Sequence, residues 1–201
     1  MFPSSNKLRI HKGKINGILL LTLCFCLVSS LCSATEEYDF RKTTWGMTKE
    51  EVKQIEGEPP YETENELGYL DTVAGMKCVV FYTFENGKLT KGAYRFLVKH
   101  SNRNLYIDDY EIIKGLLTKK YGKPKYDRKI WKGGEYYKDE PDEWGFAISA
   151  GYLQLLAGWE TEDTRILLLL KGDNYKIKLY TFYYSLEALE HESDEESLDK
   201  L

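Results

Sequence analysis

The stretch between Phe40 and Pro60 constrains the fold more than any other part of the sequence. Thr48 and Glu51 form a T-x-x-E capping box, in which each side chain accepts a hydrogen bond from the backbone amide of the other residue. Gly57 suits the left-handed residue that ends a helix, and Pro59 cannot continue one. The sequence therefore predicts a short helix that begins after Thr48 and ends near Gly57.

A three-stranded meander is expected after this helix. Its strands are residues 66–72, 77–84 and 88–98. The first turn is expected at Ala74-Gly75. The second is expected at Asn86-Gly87, because both central residues of a type I′ turn need a positive φ. Gly92 is the expected site of a β-bulge in the third strand.

The second half of the sequence repeats this order of elements. Apolar residues at helical spacing predict a longer amphipathic helix from Tyr106 to Tyr121, and Gly122-Lys123-Pro124 repeats the Gly-x-Pro stop of the first helix. A turn is expected at Gly172-Asp173-Asn174. The predicted strands are residues 126–131, 152–160, 164–171 and 175–185. The prediction is an α+β fold of two tandem helix-plus-antiparallel-meander units, with the helices packed on one face of a curved antiparallel sheet.

This interpretation divides the chain into four segments. They are a leader at residues 1–34, a first unit at 35–100, a second unit at 101–185 and an acidic tail at 186–201. Residues 133–145 are rich in glycine, proline and acids, and they predict a solvated surface loop inside the second unit. Their acids do not match the D-x-[DN]-x-[DN]-G calcium pattern, so no metal is expected there.

The leader has the three parts of a secretory signal peptide: a basic start, an apolar run at residues 18–28 and small residues before a cut after Ala34. The run is shorter than the roughly 20 apolar residues of a spanning helix. Cleavage would give a periplasmic or secreted chain that begins near Thr35. An uncleaved anchor and a lipoprotein acylated on Cys32 are the alternatives.

Charge and cysteine content limit the partners of such a chain. Without the four basic residues of the leader, 24 of the 28 basic residues remain against 32 acidic ones, a formal net charge of −8. Neither nucleic acid nor an anionic membrane surface is therefore an expected partner. Cys78 is the one cysteine outside the leader. It excludes an internal disulfide, and its position in an apolar strand predicts a buried free thiol.

Two short motifs carry a resemblance. Gly46-Met47-Thr48, followed by Val52 and Gly57-x-Pro59, resembles the G-M-T-x-x-x-V…G-x-P signature of small extracytoplasmic proteins, and Phe84-Glu85-Asn86-Gly87-Lys88-Leu89 resembles the hairpin that follows it. These proteins are the β-lactamase-inhibitor-protein-like group and the SmpA/OmlA group, which includes a small lipoprotein of the outer-membrane barrel-assembly machinery. The resemblance covers roughly residues 40–98. It implies an envelope protein that binds other proteins and is not an enzyme.

The residues themselves predict neither a catalytic residue nor a cofactor nor a metal site. His100 and His191 follow the leader, and neither belongs to an H-x-x-x-H or H-E-x-x-H pattern. The sequence has no G-x-S-x-G elbow, no Walker loop and no G-x-G-x-x-G.

Aromatic residues in the strands predict a binding surface instead, because large exposed aromatic patches mark interaction sites. The leading hypothesis is a non-catalytic envelope module that binds another protein through an aromatic sheet face. A homodimer that uses the same face and a small-ligand or glycan binder are the alternatives. The candidate partner-binding residues are Trp45, Tyr82, Phe84, Trp159, Tyr180 and Phe182.

Overall fold

The computed structural model describes residues 38–191, so the predicted leader, Cys32 and residues 192–201 lie outside the described part of the chain. The helices are α1 (Lys49–Glu56), α2 (Leu105–Tyr121) and α3 (Trp144–Ser149), and residues 186–191 are also helical. The strands are β1 (Tyr61–Glu62), β2 (Glu66–Val73), β3 (Met76–Glu85), β4 (Lys88–Phe96), β5 (Tyr126–Trp131), β6 (Leu153–Glu160), β7 (Thr164–Asp173) and β8 (Lys176–Ser185).

These strands form one antiparallel sheet in the order β1-β2-β3-β4-β8-β7-β6-β5. The first half of the fold, Lys49–Phe96, is a helix followed by four strands, and the second half, Leu105–Ser185, repeats this order with α3 inserted. The last strands of the two halves, β4 and β8, pair at the centre of the sheet, where Ala93 lies opposite Phe182. The predicted α+β fold of two tandem units is confirmed.

The ends of α1 and α2 follow the sequence signals closely. At the start of α1, both hydrogen bonds of the Thr48–Glu51 capping box are present. Gly57 then ends α1 at φ 89° with its amide donating to Lys53, and Gly122 ends α2 at φ 81° with its amide donating to Thr118. A positive φ is where a residue without a Cβ is favoured, so the repeated Gly-x-Pro motif marks the same event in both halves.

Helices α1, α2 and α3 pack on one face of the sheet, and the core lies between these helices and the sheet. Tyr69 on β2 donates to the carbonyl of Gly57 at 3.0 Å, and Trp159 on β6 donates to that of Gly122 at 2.9 Å. The predicted buried thiol of Cys78 is confirmed, at 0% exposure. Within the described part of the chain, no helix is both long and apolar enough to cross a membrane.

The predicted bulge at Gly92 is wrong by two residues. The register between β3 and β4 shifts so that Thr90 is the extra residue, since Thr83 pairs with Lys91 and Phe84 with Leu89. Gly92 has a different role, because a Cβ there would overlap the ring of Phe40. The glycine makes room for an aromatic ring in the core.

The predicted turn at Gly172-Asp173-Asn174 is also displaced. β7 continues through Asp173, and the turn consists of Asn174 at φ 48° and Tyr175 at φ 60°. Gly172 is a strand residue, and a Cβ there would overlap the carbonyl oxygen of Ile148 in α3. A glycine needed for close backbone approach looks the same in sequence as a turn glycine.

Residues 133–145 have more structure than the predicted solvated loop. They contain two single-turn 3₁₀ helices, Glu135–Tyr137 and Pro141–Glu143, and lead directly into α3. Asn104, just before α2, holds the segment: its amide nitrogen donates to the carbonyl of Asp142 and its oxygen accepts from the amide of Gly145, both at 2.7 Å.

Candidate functional site

The candidate site is the face of the sheet opposite the helices, which we call the open face. Side chains alternate along a strand, so Cys78, Val80 and Tyr82 on β3 point to the helices and are buried. Their neighbours point the other way and are only partly buried. The central open-face residues are Val79, Phe81 and Thr83 on β3, Lys91, Ala93 and Arg95 on β4, and Tyr180, Phe182 and Tyr184 on β8.

One line of paired residues crosses the open face from edge to edge, and we call it the cross-strand row. Each member is the register partner of the next, over all eight strands. No member is charged, and five of the eight are aromatic or leucine. From β1 to β5 the row is Tyr61, Gly68, Phe81, Ala93, Phe182, Leu167, Gly158 and Tyr126.

The two ends of the row are built alike. At the first edge, the ring of Tyr61 lies against Gly68, where an added Cβ would be 3.0 Å from the ring. At the other edge, the ring of Tyr126 lies so close to Gly158 that an added Cβ would overlap it. Each tyrosine lies four residues after the glycine that ends its helix, Gly57 or Gly122. The two halves therefore place an aromatic ring at both ends of the open face.

Cationic side chains lie next to the aromatic rings in the middle of the face. The Lys91 ammonium is 5.1 Å from the ring centroids of both Phe182 and Tyr184, and the Arg95 guanidinium is 5.3 Å from that of Phe81. Such distances give cation–π attraction. Among residues 38–191, neither cation has a carboxylate within ion-pair distance. The centre of the face is thus aromatic and positive, although the chain as a whole is acidic.

These side chains surround an open depression of about 630 Å³ over the first half of the sheet. Phe81, Ala93 and Phe182 from the row line it, together with Lys91 and Arg95. Glu66 contributes a carboxylate on the β2 side, and Leu70, 72% exposed, extends the apolar surface toward the edge. The depression therefore offers flat aromatic rings and positive charge.

Of the six candidate contact residues from the sequence, Tyr180 and Phe182 lie on the open face. Their rings stack with centroids 5.3 Å apart. The structure buries Tyr82, Phe84 and Trp159 in the core, at 0, 2 and 2% exposure, so they are not contact residues of this face. The reason is that alternation shows which residues share a face within one strand, and not which face the helices cover.

Trp45 lies on neither face of the sheet. It precedes α1, packs partly buried against the core, and donates from Nε1 to the hydroxyl of Thr164 at 2.8 Å. Its backbone amide donates to Asp39 at 2.8 Å, and Asp39 also accepts from Thr164 at 3.3 Å. Trp45 therefore connects the segment before α1 to the start of β7, which is a structural role.

Sequence reasoning missed Tyr61, Phe81, Lys91, Arg95 and Tyr126 on the open face. One signal for the two tyrosines was present, because Gly57-Glu58-Pro59-Pro60-Tyr61 and Gly122-Lys123-Pro124-Lys125-Tyr126 share the pattern G-x-P-x-Y. The partners of these tyrosines, Gly68 and Gly158, depend on pairing between strands, which the pattern does not show.

A polar network lies under α1 on the helix-covered side. The Arg41 guanidinium donates to Glu56 at 2.8 Å and to Asp71 at 2.5 Å, and the Tyr82 hydroxyl donates to Glu56 at 2.6 Å. Burial opposes the charged form of Arg41, but its hydrogen bonds to the two carboxylates outweigh this and raise its pKa. The hydrogen bond from Arg41 lowers the pKa of Asp71. Every strong donor here has a partner, so the network is structural.

Other titratable groups give no further site. His100 Nε2 lies 2.6 Å from a carboxylate oxygen of Asp109, and its ring contacts that of Tyr106 edge-on. Within residues 38–191 there is no cluster of three or more histidine, cysteine, aspartate or glutamate side chains able to hold a metal ion.

Comparisons with known proteins do not assign the chain to a family. No family model matches the sequence, and neither a curated protein nor a solved structure matches it.

Proposed function

We propose that this chain is a non-catalytic binding module that holds a protein partner on the open face of its sheet. The observation that carries the proposal is the cross-strand row, which runs uncharged across eight strands on the side without α1–α3. The five large members of the row are partly buried or exposed, and contiguous apolar surface of this kind marks interaction sites.

The chemistry of the face supports a protein partner. Phe81 and Phe182 supply rigid apolar area, Tyr180 and Tyr61 add rings with a polar tip, and Arg95 adds a charged group. Arginine, tyrosine and the other aromatic residues are among the side chains enriched in protein interfaces. The depression is open along the sheet surface, whereas a small ligand usually occupies a cleft or cavity that surrounds most of its surface.

The sequence adds the expected location. The signal-like residues 1–34 favour an encounter outside the cytoplasm, in the periplasm or beyond. The resemblance of the Gly46–Pro59 stretch to small envelope proteins that bind other proteins agrees with this proposal. Fold alone does not determine a partner, so the proposal rests on the face and not on the resemblance.

Site-specific photo-crosslinking tests the proposal in the cells that produce the protein. A photoreactive phenylalanine replaces Phe182 on the open face in one variant, and Ile112, exposed on α2, in the matched control. We expect a discrete adduct with another protein from position 182 and none from position 112. Far-ultraviolet circular dichroism checks that both variants fold.

The remaining outcomes contradict the proposal. An adduct with twice the mass of the chain assigns the open face to a homodimer. Equal adducts from positions 112 and 182, or none from position 182, show that the open face is not the binding surface.

A further inference from the structure

Ala93, 7% exposed, is the small residue on the floor of the depression at the centre of the cross-strand row, and we call the space above it the gap. Its two register partners are Phe81 on β3 and Phe182 on β8, so it is a small residue between two aromatic ones. Neighbouring strands lie about 4.8 Å apart, so a ring above Ala93 would be about 4.8 Å from the attachment point of each phenylalanine. That spacing lies within the range in which aromatic rings pair favourably.

Two cations lie on either side of this gap along β4. Lys91 and Arg95 are two residues before and after Ala93, on the same face of the strand. Both lean over rings of the row, Lys91 toward Phe182 and Arg95 toward Phe81. Neither has a carboxylate partner among residues 38–191, and the carboxylate of Glu66 is two strands away from Lys91. Neither Lys91 nor Arg95 is therefore held in an ion pair within the described residues.

We infer that this gap receives an aromatic side chain from an extended, acidic segment of the protein partner. The inference rests on the proposed function and names the chemistry of the partner. In an extended chain, side chains two residues apart point to the same side with a spacing of about 6.6 Å, which matches the spacing of Lys91, Ala93 and Arg95 on β4. A segment with the pattern acid-x-aromatic-x-acid thus places its ring over Ala93 and its two carboxylates over the two cations.

Charge and shape both select this occupant. Carboxylates complement the unpaired cations, and an aromatic ring contacts Phe81 and Phe182 at once. A lipid surface, which is flat, would not place one ring between two others in a depression of about 630 Å³. The chain is itself acidic, with 32 acidic residues against 28 basic ones, so an acidic partner segment is attracted to this patch and repelled elsewhere.

Fluorescence anisotropy with synthetic peptides tests the inference on the purified chain. The probe is a labelled peptide with the core glutamate-serine-tryptophan-serine-glutamate. One control peptide replaces both glutamates by lysine, and a second replaces the tryptophan by alanine. We expect saturable binding of the probe alone, and weaker binding as the salt concentration rises.

Substitutions in the chain test whether the probe peptide binds at the gap. Lys91→Gln with Arg95→Gln removes both cations and should weaken the probe about tenfold, as expected for two partly exposed ion pairs. Lys171→Gln with Lys178→Gln removes two cations that are register partners on the open face of β7 and β8, and should leave affinity unchanged. Ala93→Trp fills the gap and should abolish binding. Since it changes a buried position, thermal unfolding checks that it folds, and the Lys91/Arg95 variant gives an answer if it does not.

Several results would overturn the inference. They are equal binding of the lysine or alanine peptide, an unchanged affinity in the Lys91/Arg95 variant, and binding of free indole-3-acetate as tight as that of the probe, which would indicate a small-molecule site. Dissociation of a self-associated chain by the probe would assign the gap to a second copy. Binding of the probe to a chain that ends at His191, but not to the full chain, would assign the gap to residues 192–201.

Repeating the photo-crosslinking from position 182 with Lys91→Gln and Arg95→Gln separates the two proposals. An unchanged adduct means that a partner binds the open face without an acidic segment, so the inference fails and the proposed function stands. If no adduct forms even from the otherwise unchanged chain, both fail.

Discussion

The two halves of the molecule have the same order of elements, but they differ in their helices and in the residues on the open face of the sheet. In both, a helix ends at a Gly-x-Pro motif and a tyrosine four residues beyond the glycine covers a glycine of the next strand. The first half keeps a short helix of 8 residues and places Lys91 and Arg95 on the open face. The second half has a helix of 17 residues and the inserted α3, and its part of the open face carries leucines, the aromatic residues of β8, and Lys171 and Lys178.

This difference shows which positions the fold constrains in both halves and which positions can vary between them. The helix stops and the tyrosine–glycine pairs set the edges of the sheet, so both halves retain them. The open-face residues between those edges support no helix and therefore differ without cost to the core. The depression between Lys91, Arg95 and Phe182 is the result of that freedom, and Leu167 of the second half continues the uncharged row beyond Phe182.

The largest expected difference between the halves concerns two glycines with aromatic rings above them. Gly92→Ala adds a Cβ that overlaps Phe40, which is 1% exposed and contacts the rings of Tyr82, Tyr94 and Tyr183. Because that ring has nowhere to move, we expect a loss of about 3 kcal/mol in the free energy of unfolding, measured by urea denaturation.

Gly158→Ala, the matched variant of the second half, overlaps Tyr126 instead. That ring belongs to an edge strand on the open face and can rotate into solvent, so the expected loss is below about 1 kcal/mol. Equal losses for the two variants would contradict the assignment of Gly92 to the core side and Gly158 to the open side.

Gly92 and Gly172 illustrate what the sequence could and could not reveal. Signals within a few residues were sufficient for the capping box of α1, the Asn86-Gly87 hairpin and both helix stops, because each depends on local backbone geometry. Gly92 and Gly172 were misread, because a glycine that admits a distant ring or carbonyl has no local signature.

The candidate site was harder to predict than the fold for a related reason. Tyr82 and Phe182 are both aromatic strand residues with alternating neighbours, and nothing local distinguishes the buried Tyr82 from the partly buried, open-face Phe182. Which face is covered depends on where α1 and α2 pack, and the cross-strand row depends on the register of seven strand pairs. Both are long-range properties of the folded chain.

The polar network of the first half should make its stability depend on pH. Asp71 accepts from Arg41 at 2.5 Å, and this hydrogen bond lowers the pKa of Asp71 below its ordinary value of 3.8. A depressed carboxyl pKa stabilises the fold above the ordinary value, and the contribution is lost as the pH falls through the folded-state value. Asp71→Asn should therefore cost about 1.5 kcal/mol at pH 7, a value already reduced for the partial exposure of Asp71.

Urea denaturation at a series of pH values measures this dependence. The difference in unfolding free energy between the wild type and Asp71→Asn should be constant above about pH 5 and shrink at lower pH. Asp173→Asn in the second half is the control, because Asp173 forms no ion pair with residues 38–191. A difference that persists unchanged at pH 2 would show that the ionised Asp71 carboxylate is not what stabilises the fold.

The helix starts differ between the halves and predict a smaller effect. Thr48 caps α1 with its side chain, whereas Asn104 before α2 makes no such capping bond and contacts the inserted segment instead. Thr48→Ala should cost about 1 kcal/mol in the free energy of unfolding, and Thr48→Ser, which keeps the hydroxyl, should cost little. If Thr48→Ser is as damaging as Thr48→Ala, the methyl group and not the cap is responsible.

The smallest effect should come from the hairpin turns, and it should have the opposite sign. The first half uses Asn86-Gly87, with φ of 51° and 76°, and the second half uses Asn174-Tyr175, with φ of 48° and 60°. A left-handed conformation costs a residue with a Cβ about 1–2 kcal/mol, and glycine loses part of that advantage through its greater freedom in the unfolded chain. Tyr175→Gly should therefore raise the free energy of unfolding by about 0.5 kcal/mol.

The reciprocal exchange tests the same turn geometry in the first half. Gly87→Tyr creates the second half's turn sequence between β3 and β4 and should lower the free energy of unfolding by a similar amount, again by urea denaturation. Tyr175 is 63% exposed and its ring lies 6.2 Å from that of Phe146, so little packing is lost when it is removed. A Tyr175→Gly variant less stable than the wild type would mean that this ring contact outweighs the backbone strain.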